Sequence, residues 1–561
     1  MKFEVKNIRL RDALTWLPLL GMVTILFMTL SYSNSMWIHP DSMTAAGLRF
    51  LSNGPEGFRF ATYGPMAYLE TGIVTAALFP IGAVLGFWNS LDTFEKTFRS
   101  NSIESLGVSF THFSILVNFF LVLTSVFFLS MATRRQIPLR YSLALFGSLI
   151  MLLPIYLNQL TLDTIEPYVF FGMCFAIWIS QEQKYRTGSP GLLDYVSVSL
   201  AFLFTIGCRI NLALYIFPVF AYIGLYRAKK TRSFREIYPL ILGMLMSLVS
   251  YLPLILDRDE FKTTLVMITT LSGSNPSFET LTKNLQIVFL NTGFAGGIFF
   301  LVAIFGLVLL RTPVAGSPSV TWVWMLAALT NLILFLINSN GFPKYVVPIA
   351  PVALFGAVLF FGSRGRSWPP GRFASRRIIW LSFALFVPVF CVQIMVNFHN
   401  HQSSSRFDTR EVISTLIPAD KSWLDTAAAN ATVISELTRG VNGLPFEDII
   451  KRISVAYSSD SPCKEIMIFS SREMNFVQIG LQIEKCQSLY RDYKIFEINP
   501  YKLNNQKVEY NDWLGLLSLG TPLDSYRSGY GPIYTLVIRG ESKFYKRFES
   551  GCLQQNSCSP K

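Results

Sequence analysis

The chain has 561 residues, of which 51% are apolar and only 15% are charged, and its formal net charge is +13. Soluble domains carry about a quarter of their residues as charge, so this composition excludes an ordinary soluble enzyme and a disordered chain. With only 4 histidines, a histidine-rich metalloprotein is excluded as well. A basic excess indicates nucleic-acid binding only where the basic residues share one surface, so their distribution along the chain matters.

Apolar runs recur through the first 397 residues, and many approach the roughly 17–25 residues that a helix needs to cross a bilayer. From these runs we predict an α-helical polytopic membrane protein with about eleven transmembrane helices and no cleavable signal peptide. The predicted spans are Leu14–Ser33, Val108–Ser130, Tyr141–Tyr156, Ile165–Ser180, Leu192–Cys208, Asn211–Tyr226, Tyr238–Leu256, Ile287–Leu310, Thr321–Ile337, Tyr345–Phe361 and Ile378–Asn397.

A twelfth apolar run, Tyr68–Trp88, decides the topology. If it lies in the outer interface without crossing, the cytoplasmic loops hold 20 lysines and arginines against 5 acids. The outer loops before residue 398 then hold 9 basic and 12 acidic residues, and the remaining tail holds 19 and 18. Lysine and arginine concentrate in cytoplasmic loops, so we adopt this topology, with a cytoplasmic N-terminus. The basic excess therefore reports orientation, and we expect no nucleic-acid partner.

The tail, residues 398–561, is predicted to be an extracytoplasmic α/β domain. Its strand candidates are Glu465–Phe469, Tyr493–Ile498 and Ile533–Ile538, and Phe446–Ala456 has the pattern of an amphipathic helix. No catalytic motif stands out in the tail, which favours a docking or acceptor-guiding role.

Cysteine positions agree with an outer location of the tail. Three cysteines lie in apolar runs, where a free thiol behaves as a small apolar group. The other four lie in the tail, and an even set outside the membrane predicts two disulfides. The pairing stays open, and the simplest choice is Cys463 with Cys486 and Cys552 with Cys558.

The first outer loop, residues 34–107, holds the acid of greatest interest, Asp41. An acid placed directly after a membrane span indicates function. The alternative is an N-cap, because Asp41 precedes a predicted helix over Ser42–Leu51 and aspartate is a favoured capping residue. Both hold together, since a capped carboxylate is also a fixed one.

Four motifs in the membrane part resemble the GT-C glycosyltransferases, and most closely the protein O-mannosyltransferase and lipid A aminoarabinose transferase type. The resemblance covers about residues 14–397, and every motif lies on the outer side of the predicted topology. One departure is Ser42, where the family usually has a glutamate after the aspartate. The motifs are His39-Pro40-Asp41 followed by Tyr63-Gly64-Pro65 and Tyr68-Leu69, Asp163 with Glu166-Pro167, Gly207-Cys208-Arg209-Ile210-Asn211, and Pro343-Lys344-Tyr345 followed by Pro348 and Pro351.

The resemblance implies an inverting transferase that moves a sugar from a polyprenyl-phosphate donor to a lipid, glycan or protein acceptor outside the membrane. Asp41 is then the candidate catalytic base, and Arg209 and Lys344 are candidates for binding the donor phosphate. Asp163 and Glu166 form a candidate second acidic or acceptor site. The remaining candidates shape the donor pocket and are His39, Tyr63, Pro65, Tyr68 and Tyr345.

One histidine beside one aspartate falls short of a metal-binding set, so we predict no obligatory metal and leave a divalent metal open. The resemblance favours the bacterial inner membrane and a role in cell-envelope glycans. The alternative to a functional role is that the Arg209 and Lys344 side chains extend towards the membrane interface, as basic side chains routinely do.

Two hypotheses from other classes remain. A transporter or flippase for a lipid-linked saccharide would hold charges within its spans and often shows internal repeats, whereas the charges of interest here collect in outer loops. An oligosaccharide polymerase or ligase would have its long outer loop late in the chain.

Overall fold

The computed structural model describes a helical membrane part and five strands of the tail. The described residues are 16–24, 26–27, 43–55, 63–84, 108–151, 165–258, 261–262, 277–292, 320–338, 346–364, 388, 431–433, 466–469, 493–498, 534–539 and 558–560. Residues 16–24 are helical, in the first predicted span. The further helices are α1 (Met43–Asn53), α2 (Pro65–Val84), α3 (Val108–Thr133), α4 (Leu139–Met151), α5 (Glu166–Tyr185), α6 (Leu192–Phe202), α7 (Ala213–Thr231), α8 (Tyr238–Ser250), α9 (Leu252–Leu256), α10 (Phe278–Thr292), α11 (Val320–Ile337) and α12 (Ile349–Arg364).

Three described helical segments are long and apolar enough to cross a membrane: Ser114–Thr133, Ile210–Thr231 and Val320–Ile337. Each coincides with a predicted span, and several shorter apolar helices lie in the other predicted spans. The predicted span Ile378–Asn397 lies outside the described residues apart from position 388. The mostly helical architecture is therefore confirmed, while the total of eleven spans stays a prediction.

The predicted span Leu192–Cys208 is not one continuous α-helix. Helix α6 ends at Phe202 and is followed by a single π-helical segment, Leu203–Gly207, which we call the π-turn. A short 3₁₀ turn, Ile210–Leu212, then leads into α7. The Thr205 hydroxyl donates to the Ala201 carbonyl, which supplies a local side-chain bond where the helix widens. Such π-turns are rare and often lie at functional sites.

An aromatic core joins α3, α5 and the π-turn. The Phe128 ring stacks on the Trp178 indole at 5.1 Å, and Phe175 contacts both Phe128 and Phe204 edge-on. Offset and edge-to-face ring pairs add about 0.5–1.5 kcal/mol each beyond the area that they bury. This packing fixes α5 and the π-turn relative to each other.

On the face that the charge distribution assigns to the cytoplasm, Arg227 of α7 is buried and makes what we call the Arg227 clamp. Its Nε donates to Glu236 Oε2 at 2.9 Å. Its Nη groups donate to the carbonyl oxygens of Gln183, Arg186 and Gly188 at 3.3, 2.7 and 2.9 Å. Arg186 also pairs with Glu236, so one carboxylate faces two guanidinium groups.

A second ion pair on the same face is exposed. Arg134 lies 3.0 Å from Glu182, and the two side chains are 41% and 27% exposed. Loops predicted on one side of the membrane thus meet through ion pairs in the structure, and the basic residues there are partly neutralised by the few acids of those loops.

Within the described residues of the tail, five strands form one mixed sheet: β1 (Ala431–Val433), β2 (Ile466–Phe469), β3 (Tyr493–Ile498), β4 (Tyr534–Arg539) and β5 (Cys558–Pro560). Their order in the sheet is β1-β2-β4-β3-β5. Strands β1 and β2 pair in parallel and the other neighbours pair antiparallel. The three predicted strands are confirmed as β2, β3 and β4, whereas the predicted helix Phe446–Ala456 lies outside the described residues.

Candidate functional site

The Tyr63-Gly64-Pro65 motif lies directly on the π-turn. The Gly64 amide donates to the Cys208 carbonyl at 3.0 Å. A Cβ at Gly64 would lie 2.2 Å from the Gly207 carbonyl oxygen and 2.7 Å from the Tyr251 hydroxyl, so no larger residue fits without displacing backbone. The Tyr251 hydroxyl in turn donates to the Ile206 carbonyl at 2.7 Å. Two motifs far apart in sequence therefore share one backbone contact.

The aromatic residues of the first-loop motif are buried. Tyr68 is fully buried, with its ring centroid 6.1 Å from that of Phe50 in α1, and Tyr63 is 4% exposed. Pro65 begins α2, as expected for a residue that lacks an amide donor and has a preset φ. Their predicted role in shaping the donor pocket stays a prediction.

Helix α1 packs on α2 by direct backbone contact. A Cβ at Gly47 would lie 2.5 Å from the Gly72 amide nitrogen, and a Cβ at Gly72 would lie 2.4 Å from the Gly47 carbonyl oxygen. Small residues allow such close approach of two helices. The predicted helix Ser42–Leu51 is confirmed as α1, which begins two residues after Asp41.

Glu70 of α2 is a residue that the sequence analysis missed. Its carboxyl group is buried, and its Oε2 accepts a hydrogen bond from the Cys208 thiol at 2.9 Å. Its Oε1 has no hydrogen-bond partner among the described residues. A buried carboxylate without a counter-charge is costly, so an acid at this position requires an explanation. The available signal was the single acid in an otherwise apolar run, immediately after Tyr68-Leu69.

Glu166 and Arg209, both predicted site residues, lie together. Arg209 Nη1 is 3.8 Å from Glu166 Oε1, and the side chains are 8% and 4% exposed. Glu166 begins α5, with Pro167 in the first turn, as the sequence predicts. Arg209 follows Cys208, so Arg209, Glu166 and Glu70 converge beside the π-turn.

The remaining predicted site residues lie outside the described residues: Asp41, His39, Asp163, Lys344 and Tyr345. Their distances to Glu166 and Arg209 are not part of the described structure. Within the described ranges, no three histidines, cysteines or acids lie close enough together to hold a metal ion. The two predicted disulfides stay predictions. Cys463, Cys486 and Cys552 lie outside the described ranges, and only Cys558, at the start of β5, lies inside them.

Beside the π-turn lie one guanidinium group, that of Arg209, and two buried carboxyl groups, those of Glu70 and Glu166. A guanidinium is suited to binding phosphate through charge-assisted hydrogen bonds. Carboxyl groups are suited to accepting hydroxyl hydrogens or protons. The cluster can thus bind an anionic group next to a hydroxyl-bearing one.

No family model and no curated protein matches the chain. Solved structures similar to it include two of ArnT from Cupriavidus metallidurans. The apo structure is 12% identical, with coverage of 83% of this chain and 94% of that chain and a TM-score of 0.47. The structure bound to undecaprenyl phosphate is 13% identical, with coverage of 83% and 95% and a TM-score of 0.48.

Proposed function

We propose that the chain is a membrane glycosyltransferase that moves a sugar, with inversion, from a polyprenyl-phosphate donor to an acceptor on the outer face of the membrane. The observation that carries this proposal is the convergence of Glu166, Arg209 and the Tyr63-Gly64-Pro65 motif at the π-turn. These residues come from three of the four motifs that resemble GT-C enzymes. We place the protein in a bacterial inner membrane with its tail in the periplasm.

The leaving group of this reaction is a lipid phosphate that gains negative charge as its bond to the sugar breaks. Arg209 is the proposed ligand of that charge, together with Lys344, and the Gly64 amide supports this role by holding the backbone of the preceding residue, Cys208. A fixed cation stabilises the transition state because it requires no reorganisation when the charge develops.

The attacking group is an acceptor hydroxyl, whose oxygen forms a bond to the anomeric carbon while the bond to the phosphate oxygen breaks. Its proton must go to a base, and Asp41 is the proposed base. Glu166, with Asp163 before it, is the proposed second acidic site that holds the acceptor. The reaction as written needs no obligatory metal, and a divalent ion near His39 and Asp41 stays open.

A transporter of a lipid-linked saccharide is the second candidate, and one observation favours it. Glu70 is a buried acid inside an apolar helix, which is a feature of transporters. The two candidates differ in what they do to the donor, because a transporter leaves the bond between the sugar and the phosphate intact.

The test uses Asp41→Asn, measured as sugar transfer from polyprenyl-phosphate donors in membranes that contain the protein. Loss of the base should reduce transfer by about a hundredfold or more. Asp257→Asn is the matched control, because Asp257 is an exposed acid in a loop predicted on the same face. Transfer by Asp41→Asn at the level of the control would refute the assignment of the base. Intact donor moved across the membrane without cleavage would support the transporter instead.

A further inference from the structure

Cys208, which directly follows the π-turn and precedes Arg209, makes one contact with Gly64 and one with α2. The carbonyl of Cys208 accepts from the Gly64 amide at 3.0 Å, and the thiol of Cys208 donates to Glu70 at 2.9 Å. Arg209 is the next residue in the chain. The backbone next to Arg209 is therefore held by a backbone bond from Gly64, directly before α2, and by a side-chain bond to Glu70 in α2.

On its other side, Arg209 faces α5 through Glu166 at 3.8 Å. This separation exceeds a hydrogen bond, so the pair is electrostatic and sets the direction of the guanidinium only loosely. The Cys208 contacts are shorter and more directional. The contacts of Cys208 thus help to set the position of Arg209, beside the pair with Glu166.

Glu70 serves no purpose in the chemistry proposed above, yet it occupies a buried place in an apolar helix. A leucine there would avoid the cost of burying a carboxyl group. The one described hydrogen bond of its side chain is the one from Cys208. The residue type is therefore explained by what it does to the π-turn.

We infer that Glu70 is a positioning residue, which acts through the Cys208 thiol to hold Arg209 where it binds the phosphate of the polyprenyl donor. The inference rests on the proposed function, in which Arg209 contacts that phosphate. It assigns to the Glu70–Cys208 pair an effect on recognition of the charged headgroup, with no effect on recognition of the lipid tail.

The experiment compares binding of undecaprenyl phosphate with binding of undecaprenol, which has the same tail and no phosphate, to the full chain purified in detergent. The ratio of the two affinities reports the phosphate contact alone. Arg209→Gln should lower this ratio by about tenfold or more, the usual effect of losing a charge-assisted hydrogen bond. Glu70→Leu and Cys208→Ala should each lower it by about fivefold, within the range of couplings between residues in contact.

Three further variants separate positioning from general damage to the fold. Glu70→Gln retains an oxygen that accepts the thiol hydrogen, and should keep the ratio within about twofold of the unmodified chain. The double variant Glu70→Leu/Cys208→Ala should lower the ratio no further than either single variant, because both remove the same contact. Ser180→Ala is the matched control, since it removes a buried 2.9 Å bond from the Trp324 indole to the far end of α5 and should leave the ratio unchanged.

The outcomes are distinguishable. If the unmodified chain shows no preference for the phosphate, both the proposed function and the inference are overturned. If Arg209→Gln abolishes the preference while Glu70→Leu and Cys208→Ala retain it, only the inference is overturned. Equal losses of affinity for both lipids in those two variants would also overturn it, because they would show a structural role.

Discussion

Replacing Arg227 by methionine tests whether the Arg227 clamp holds the face assigned to the cytoplasm together. Methionine keeps most of the side-chain volume but removes the bond to Glu236 and the bonds to three backbone carbonyls. The Arg227 and Glu236 side chains are only 7% and 2% exposed, so solvent replaces little of what is lost.

Removing one partner of a buried ion pair costs about 3–5 kcal/mol. Glu236 keeps Arg186 as a partner, so we take the lower end and expect a loss of about 3 kcal/mol in the free energy of unfolding. The control is Arg134→Met, which breaks a 3.0 Å pair whose arginine is 41% exposed. Exposed pairs contribute about 0–1 kcal/mol, because water and salt screen them.

The assay is denaturant-induced unfolding of the purified chain in detergent, with both variants measured in parallel. We also expect Glu236→Gln, placed in the Arg227→Met background, to lower the free energy of unfolding further, because it removes the ion pair that Glu236 keeps with Arg186. Equal losses for Arg227→Met and Arg134→Met, or a loss below about 1 kcal/mol for the former, would refute the reasoning.

Three other predictions use the described contacts and the cysteine pattern. Gly64→Ala should destabilise the chain by about 3 kcal/mol or more, since its Cβ would lie 2.2 Å from the Gly207 carbonyl oxygen, whereas Gly224→Ala, with its nearest atom at 3.7 Å, should change stability by less than about 1 kcal/mol. Thermal unfolding of the two variants side by side measures this contrast, and similar melting temperatures would contradict it. Asn284→Leu should lower the free energy of unfolding by about 1–3 kcal/mol in the same assay, because the side-chain amide of Asn284 donates to the carbonyls of Phe335, Leu336 and Asn338 at the end of α11. An unchanged melting temperature would count against that role. Alkylation of the denatured, unreduced chain should label 3 of its 7 cysteines and label all 7 after reduction, and labelling of all 7 without reductant would exclude the two predicted disulfides.

Local patterns predicted the elements well. Helix α3 starts at Val108 as the apolar run does, and β3 has the predicted bounds Tyr493–Ile498. Length of apolar run and β-branched content are properties of neighbouring residues, so a sequence shows them directly. The sequence predicted only that Glu166 and Arg209 lie on the same, outer side of the membrane. A topology assigns residues to sides and gives no distances between them.

Features that depend on contacts between distant segments were not predictable in this way. Glu70 and Cys208 are 138 residues apart, and an average over an apolar run hides one acid within it. The π-turn interrupts a run that hydropathy treats as continuous. Arg227 and Glu236 were counted as loop charges, and a count does not distinguish solvated charges from a buried pair.

The contact between Gly47 and Gly72 has a mechanical consequence. Because the two helices meet at backbone atoms, no rotamer change can absorb a displacement between them, and α1 and α2 must move as one rigid body. Glu70 lies two residues before Gly72, and Asp41 lies two residues before α1. Any tilt of this pair would therefore be transmitted, through the hydrogen bond between Glu70 and Cys208, to the backbone next to Arg209.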